Sequence, residues 1–386
     1  MKKEIKNLRV AIVHDWAYKM TGGEKVLEVI CEMFPNADVY MMMGDETHLS
    51  DLIRKHKIQY SFLQKIPFVK KFYRYTYPLW PVAIESFNFN NYDLVVSSSA
   101  CAAKGVITGL NTVHICYMHT PMRYAWDLTW YYFNPLNFSW WKRIVIPIFL
   151  TFLRSWDVAS TSRIDKLIAN SNFVNRRIQK YYRRSADKVI FPPVYMDLFT
   201  HLKEKENFYF CIAPYEPNKR GDLIVELGIK LGINIKIAGK GSKMKELQAM
   251  AKGHENIEFL GFISEEEKAD LMARAKGLFF FGLEDFGIVP LEASASGTPV
   301  LAYGDGGALD SVIDGRTGMY FKEQSVSSII EVFKKFEEAI NNNVYDKEFM
   351  REHANKFSKE RFVKEVGDLT QIAIDEYFVT LTEDKS

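Results

Sequence analysis

The chain is poor in the features that hold small secreted or metal-built proteins together. Its four cysteines, Cys31, Cys101, Cys116 and Cys211, show neither paired spacing nor a metal-ligand pattern. That excludes a disulfide framework and predicts reduced thiols in a cytosolic compartment. No tract is of low complexity, and 386 residues that are 47% apolar are enough for two domains, each with its own core. Long hydrophobic runs are missing. The longest, Ile144–Leu153, is broken by Pro147 and Thr151 and is about half of what a membrane-crossing helix requires, so no spanning segment is expected. The N-terminus, MKKEIKNLRVAIVHDW, is basic and then enters a strand directly, unlike a signal peptide.

Net charge is nearly absent too, at +2, but it is unevenly spread. Residues 54–188 hold 20 Lys and Arg against 6 Asp and Glu, an excess of 14 that leaves −12 for the remainder. The N-terminal half therefore calls for an anionic neighbour. Within it, residues 58–87 interleave Lys65, Lys70, Lys71 and Arg74 with Phe68, Phe72, Tyr73, Tyr75, Tyr77 and Trp80. Residues 133–154 repeat the theme with Trp140, Trp141, Lys142 and Arg143. Such segments suit an interface resting on anionic lipid headgroups. Single-stranded nucleic acid and an internal aromatic helix with a solvated basic face would suit the same composition.

What is present is concentrated in FFFGLEDFGIVPLEASASGTPVLAY, residues 279–303. A strand over Phe279–Leu283 leads into an acidic turn and a short helix, with Pro290 in its first turn and Gly297 and Pro299 as its stop. At the helix mouth the backbone N–H groups of Phe286, Gly287, Ile288 and Val289 have no intrahelical partner, which suits phosphate. Glu284 before the mouth and Glu292 a turn inside it suit hydroxyls, which donate to carboxylates. A ligand with a diphosphate in the middle and polyhydroxy groups at both ends, a nucleotide sugar, satisfies all of these groups.

Two glutamates separated by seven residues, E-DFGIVPL-E, followed by GTPV, resemble the signature of the family four retaining glycosyltransferases. The resemblance implies the GT-B fold: two Rossmann-like doubly wound α/β domains facing across a cleft, with a C-terminal helix returning to the first. It covers most of the chain. The expected domains are residues 1–198, acceptor-binding, with the helix from about 362–386, and residues 206–361, donor-binding. The pair Pro192-Pro193 and the charged THLKEKEN after it read as boundary and linker.

Along the chain, LRVAIVHDW reads as a strand, a Gly-Gly turn follows, and a helix runs through GGEKVLEVICEMF. This is the opening unit of a doubly wound sheet. Gly22 and Gly23 permit close backbone approach to a ligand; by resemblance this loop lies against the donor diphosphate. Asp15, at the end of that strand, either meets the acceptor or is an N-terminal cap. CYMHTPMRYAWD (116–127) places His119, Thr120, Arg123 and Asp127 after another strand, where open α/β sheets bind ligands. It is similar to a stretch of the mannosyltransferase-like branch concerned with O-antigen and capsule, which implies that His119 faces the transferred sugar and that Arg123 and Asp127 meet the acceptor. Ala100 stands where a histidine is expected.

Ser171 reads as a helix cap, with one basic face on RRIQKYYRR after it. In the second domain Lys219 is the expected phosphate ligand and Arg220 a helper; Pro214 stands where many relatives have arginine. By resemblance the nucleotide base rests on Gly261, Phe262 and Ile263. Glu265, Glu266, Glu267 and Asp270 read as a solvated helix start, while Gly306 and Gly307 suit either phosphate or a tight turn.

The resemblance implies a hexosyltransferase with no metal and no other cofactor, since no DxD-type site is evident. Glu284 holds sugar hydroxyls, Glu292 holds the ribose, and Lys219 and the helix mouth stabilise the leaving diphosphate. GDP-mannose is the expected donor, with UDP- or dTDP-sugars as alternatives. The expected acceptor is a polyprenyl-diphosphate-linked glycan, met by a cytoplasmic chain resting peripherally on the inner face of the membrane, with no nucleic acid as partner. A nucleotide-sugar hydrolase or epimerase and a non-catalytic nucleotide-sugar module are the other classes.

Overall fold

The computed structural model describes residues 8–133, 138–199 and 201–383. The chain forms two compact units, Met1–Pro193 with Phe362–Ser386, and Val194–Arg361.

The first unit holds a seven-stranded parallel sheet of β1 (Val10–Ala17), β2 (Asp38–Gly44), β3 (Ile58–Tyr60), β4 (Leu94–Ser99), β5 (Val113–Met118), β6 (Lys166–Ala169) and β7 (Lys188–Val189). Its order is β3-β2-β1-β4-β5-β6-β7, so the direction of winding reverses between β1 and β4. β1, β4 and β5 are almost wholly buried, as strands covered on both faces are. β1 and β4 are apolar in their first halves and carry His14, Asp15 and Ser97–Ser99 toward their carboxyl ends. The helices used below are α1 (Gly22–Met33), α2 (Val69–Phe72), α3 (Trp140–Ser160) and α4 (Asn172–Tyr182). Ser171 caps α4, its Oγ accepting the Val174 N–H at 3.0 Å.

The second unit repeats the plan with β8 (Tyr209–Ile212), β9 (Ile235–Ala238), β10 (Ile257–Gly261), β11 (Gly277–Phe280), β12 (Val300–Tyr303) and β13 (Gly318–Phe321), in the order β10-β9-β8-β11-β12-β13. Its reversal lies between β8 and β11. The helices that matter are α5 (Gly221–Leu231), α6 (Glu265–Arg274), α7 (Ile288–Ala295) and α8 (Lys347–Asn355). α9 (Lys359–Glu383) carries the chain back into the first unit, where Phe362 packs edge-on against Tyr117 and Glu376 pairs with Lys166 at 2.7 Å.

Two expectations shift. The division falls directly after the Pro192-Pro193 pair read as the boundary, short of the expected residue 198, and the Val194 N–H donates to Phe357 O at 3.0 Å. The supposed linker is bonded along the second unit instead: Lys205 donates to Ala273 O at 2.9 Å and the Glu206 N–H to Arg274 O at 2.7 Å. Thr200 lies outside the described residues.

The second shift concerns α3, which is long and apolar enough to cross a membrane by length and composition. Run length alone missed this because Pro147 interrupts the apolar letters but not the helix. The packing is that of a helix lying on a surface. Its later turns enter the core through Leu150, Leu153, Asp157 and Ser160, and Asp157 is fully buried against Lys104 at 3.0 Å. Withdrawing that pair into lipid would strand two charges. Its first turns are bare, with Trp140 75% and Ile148 68% exposed. The basic aromatic segment divides likewise: Trp80 and Val69 are buried, whereas Phe68 and Tyr75 are 75% and 78% exposed. The Arg74 side chain and residues 134–137 lie outside the described residues.

Candidate active site

In open parallel sheets, ligands bind beyond the carboxyl ends of the strands where winding reverses. In the second unit that point is flanked by the loops after β8 and β11. β11 ends at Phe280, sooner than expected, because the chain turns at Gly282. A Cβ on Gly282 would lie 2.9 Å from both Asn218 O and Lys219 Cα, so only glycine lets the turn Pro217–Lys219 lie against the β11 loop. The Leu283 N–H seals the approach by donating to Asn218 O at 3.2 Å. As a result the Lys219 amine meets the Glu284 carboxylate in a half-buried ion pair. A diphosphate at this point would compete with Glu284 for that amine.

Gly287 starts α7 at φ +107°, a conformation that favours glycine. The α7 helix is short and well bounded, as the sequence predicts, with Pro290 in its first turn and Gly297 at φ +65° after its end. The Gly306–Gly307 loop braces this turn: a Cβ on Gly307 would lie 2.1 Å from Phe286 Cα, and the Gly307 N–H donates to Glu284 O at 2.8 Å. Those glycines therefore serve turn packing. The Phe286 side chain is buried and packs against Phe357, so only its backbone is placed for a ligand.

Glu292 is 4% exposed. Its Oε1 accepts from Lys268 at 2.9 Å, while its buried Oε2 has no hydrogen-bond partner among the described residues. Burial lowers the Lys268 pKa, but the charge of Glu292 and the bonds to Glu265 outweigh it and hold the amine above its ordinary range. Glu265 and Lys268 are thus tied to the site, while Glu267 and Ser264 form the capping box of a plain helix start. Gly261 closes β10 at φ +71°, Ile263 is half-buried, and the Phe262 ring is 78% exposed with the Lys240 amine 5.8 Å from its centre. An open aromatic face is suited to stacking by a flat base.

In the first unit, Gly22 and Gly23 open α1, and a Cβ on Gly23 would lie 3.9 Å from both His119 Nε2 and His14 Cε1. Ser98 Oγ sits 2.8 Å from His119 Nε2 and 3.1 Å from His14 Nδ1. A hydroxyl has one proton and two acceptor lone pairs, so Ser98 donates to at most one ring, and at least one imidazole donates to it. Glu24 completes the chain, 3.9 Å from His14 Nε2 and accepting the Thr21 N–H at 3.0 Å. Burial raises the Glu24 pKa, but the bond and charge of His14 and the Thr21 hydroxyl outweigh it, and the net shift is downward. The carboxylate at this helix mouth is therefore turned back onto its own partners.

Several expected site residues have other work. Asp15 is buried and accepts four backbone N–H groups, those of Ala100, Cys101, Ala102 and Ala103, at 2.6–2.9 Å. The cap of α1 is Thr21; Asp15 instead ties the loop after β4 to β1. Asp127 is paired with Arg177 at 2.6 Å, and Thr120 takes a bond from the same guanidinium. Arg177 is buried, so the basic face read on α4 is broken by an arginine turned inward. Arg123 is half-buried in the turn after β5, its carbonyl accepting the Leu128 N–H at 2.8 Å. Arg220 forks onto Asp222 at 2.9–3.2 Å and reaches Gln324, so, like Lys219, it holds a carboxylate with which a phosphate would compete. Sequence reasoning missed His14, Ser98, Glu24 and Lys268. The one signal for them was position, since His14 and Ser98 lie in the carboxyl-terminal halves of β1 and β4. Among the described residues no group of three or more His, Cys, Asp or Glu could hold a metal ion.

Comparison with known proteins agrees with this picture. Residues 198–359 match the profile of the family described as "Glycosyl transferases group 1". An uncharacterized glycosyltransferase of Methanocaldococcus jannaschii is 28% identical over 210 residues, 53% of this chain and 58% of that one. The alpha-1,3/1,6-mannosyltransferase ALG2 of Dictyostelium discoideum is 24% identical over 59% of this chain and 64% of its own. A GDP-mannose-dependent alpha-(1-6)-phosphatidylinositol monomannoside mannosyltransferase of Mycolicibacterium smegmatis is 33% identical over 31% and 35%. The chain thus spans about 60% of the length of the first two. Anabaena HepE, solved in complex with UDP, superposes with a TM-score of 0.70 at 17% identity, covering 94% of this chain and 99% of that one. Residues 198–359 are therefore similar to the group 1 glycosyltransferases, and the chain has the GT-B fold.

Proposed function

We propose that the chain is a retaining, metal-independent hexosyltransferase that moves mannose from GDP-mannose onto a lipid-linked or cell-surface glycan. The observation that carries this reading is the set of groups at the reversal of the second sheet: an amine at Lys219, a carboxylate at Glu284, and the orphan oxygen of Glu292. Lys219 and the N–H groups at the mouth of α7 stabilise the charge that grows on the leaving diphosphate. Glu284 accepts from sugar hydroxyls and Glu292 Oε2 from a ribose hydroxyl. No side chain here presents itself as a covalent nucleophile, so attack is on the face the leaving group vacates, with the acceptor proton passing to a departing phosphate oxygen. His119, held by Ser98, orients sugar and acceptor. Mannose is favoured by the names of two relatives. The second reading, a UDP-sugar donor, is favoured by the UDP bound to HepE.

For the acceptor, the bare first turns of α3 and the exposed aromatic residues beside lysines support docking on the anionic inner face of a membrane. The test has two arms. In a thermal-shift screen of nucleotide sugars GDP-mannose should stabilise most, because only the folded state binds it, and Glu292→Ala should abolish the shift; no shift from any donor sinks the reading. Vesicle flotation should depend on anionic lipid, and indifference to lipid charge removes the membrane part.

A further inference from the structure

A second hollow, of about 380 Å³, lies in the first unit near the carboxyl ends of β1, β2 and β3, within the size range of small-molecule pockets, about 300–1,000 Å³. The steps above do not use it. Tyr18, Asp45, Glu46, Tyr60 and Lys70 are among its walls. It is built rather than incidental. A Cβ on Gly44 would lie 2.9 Å from Ala17 O and 3.1 Å from the Tyr60 ring, so glycine is what lets these ends converge. Gln64 clasps the same residue with both halves of its amide, accepting the Gly44 N–H at 2.9 Å and donating to Gly44 O at 3.0 Å.

The lining mixes aromatic and apolar surface with polar groups, one of them unsatisfied. Tyr18 is 9% exposed, its ring lies 5.0 Å from that of Tyr73, and its hydroxyl has no hydrogen-bond partner among the described residues. Burial, together with the Glu46 carboxylate that the Tyr60 hydroxyl faces, pushes the pKa of that hydroxyl well above the ordinary tyrosine value. Asp45 is bonded by Lys70 and by the Thr47 hydroxyl, which hold its pKa at about 2 and keep it ionised. Glu46 is exposed at the rim. The carboxylates of Asp45 and Glu46 disfavour an anion, and with the Lys70 amine they disfavour an acyl chain. Tyrosine faces, buried hydroxyls and carboxylates together match the alternation of C–H faces and hydroxyls on a pyranose.

We propose that this hollow is the subsite for a sugar residue of the acceptor glycan, with hydroxyls bonded by Tyr18, Tyr60 and Glu46. The proposal rests on the transferase reading and names what its acceptor side holds. It also joins the two halves of that reading, since the Lys70 wall belongs to α2, next to the exposed Phe68 and Lys71. A glycan carried on an anionic lipid would meet sugar-binding groups and cations from one short stretch.

The experiment applies the full chain to an array of di- and trisaccharides ending in mannose, glucose, galactose or N-acetylglucosamine, beside a GDP-mannose thermal shift. The wild type should retain one terminal-sugar class. Tyr18→Phe and Glu46→Gln should each weaken that retention at least fivefold and leave the nucleotide-sugar shift intact. Glu46 is at the surface, so its variant folds even if the other is compromised. Retention unchanged in both variants, or no glycan retained by a chain that binds nucleotide, overturns the subsite. Retention that the variants abolish, with no nucleotide sugar bound, keeps the subsite and overturns the transferase reading.

Discussion

Gly282→Ala isolates the packing that brings Lys219 to Glu284. The added Cβ would sit 2.9 Å from Asn218 O and from Lys219 Cα, with Lys219 C at 3.4 Å. All three are backbone atoms, so no flexible side-chain end can swing away. Ordinary contact begins near 3.5 Å, so the Pro217–Lys219 turn must retreat by about half an ångström or more. Overpacking of this kind costs about 1–3 kcal/mol of stability. The functional effect is larger in relative terms, because the amine leaves the place where it meets a phosphate oxygen. Hydrogen bonds to charged groups contribute about 1.5–3 kcal/mol, which corresponds to a donor Kd raised roughly ten- to hundredfold. Calorimetric titration with GDP-mannose measures it, with Lys219→Ala and the double variant as companions. Two substitutions acting through one contact are not additive; the double variant should bind no worse than Lys219→Ala. Full additivity, or a Gly282→Ala protein with Kd within twofold of wild type, would refute the reasoning.

Asp157→Ala should lower the stability of the first unit by about 3–5 kcal/mol, since it strands the buried Lys104 amine and frees Trp126 and Tyr182, which donate to the same carboxylate at 2.7 and 3.0 Å. Replacing both partners, as Lys104→Met with Asp157→Leu, should cost far less; denaturant unfolding followed by tryptophan fluorescence compares them. Burial, aided by the charge of Lys347, lowers Lys205 to about pKa 7. Between pH 7 and the ordinary lysine range the unfolded chain binds the extra proton, so wild-type stability should rise with pH relative to Lys205→Met, by at most about 1.4 kcal/mol per pH unit. A difference that stays flat from pH 7 to 9 in melting experiments contradicts this.

What the letters alone determined was local. A strand, a glycine turn and a short helix bounded by Pro290, Gly297 and Pro299 are matters of backbone chemistry within a few residues, so α7 and its mouth, the capped start of α4 and the two α/β units were legible. The spacing of Glu284 and Glu292 was legible for the same reason. What only the tertiary structure decided was which charges remain available. Asp15, Asp127 and Arg220 have the residue types of ligand-binding groups, yet each is satisfied by the backbone or a side chain that folding brings beside it. His14, Ser98 and Lys268 meet the candidate groups only because parallel strands align their carboxyl ends, or α6 lies beside α7, bringing residues 21–84 positions apart within hydrogen-bond reach. A helix is read from its neighbours in sequence, whereas the partner of a charge is chosen by whatever the fold packs against it.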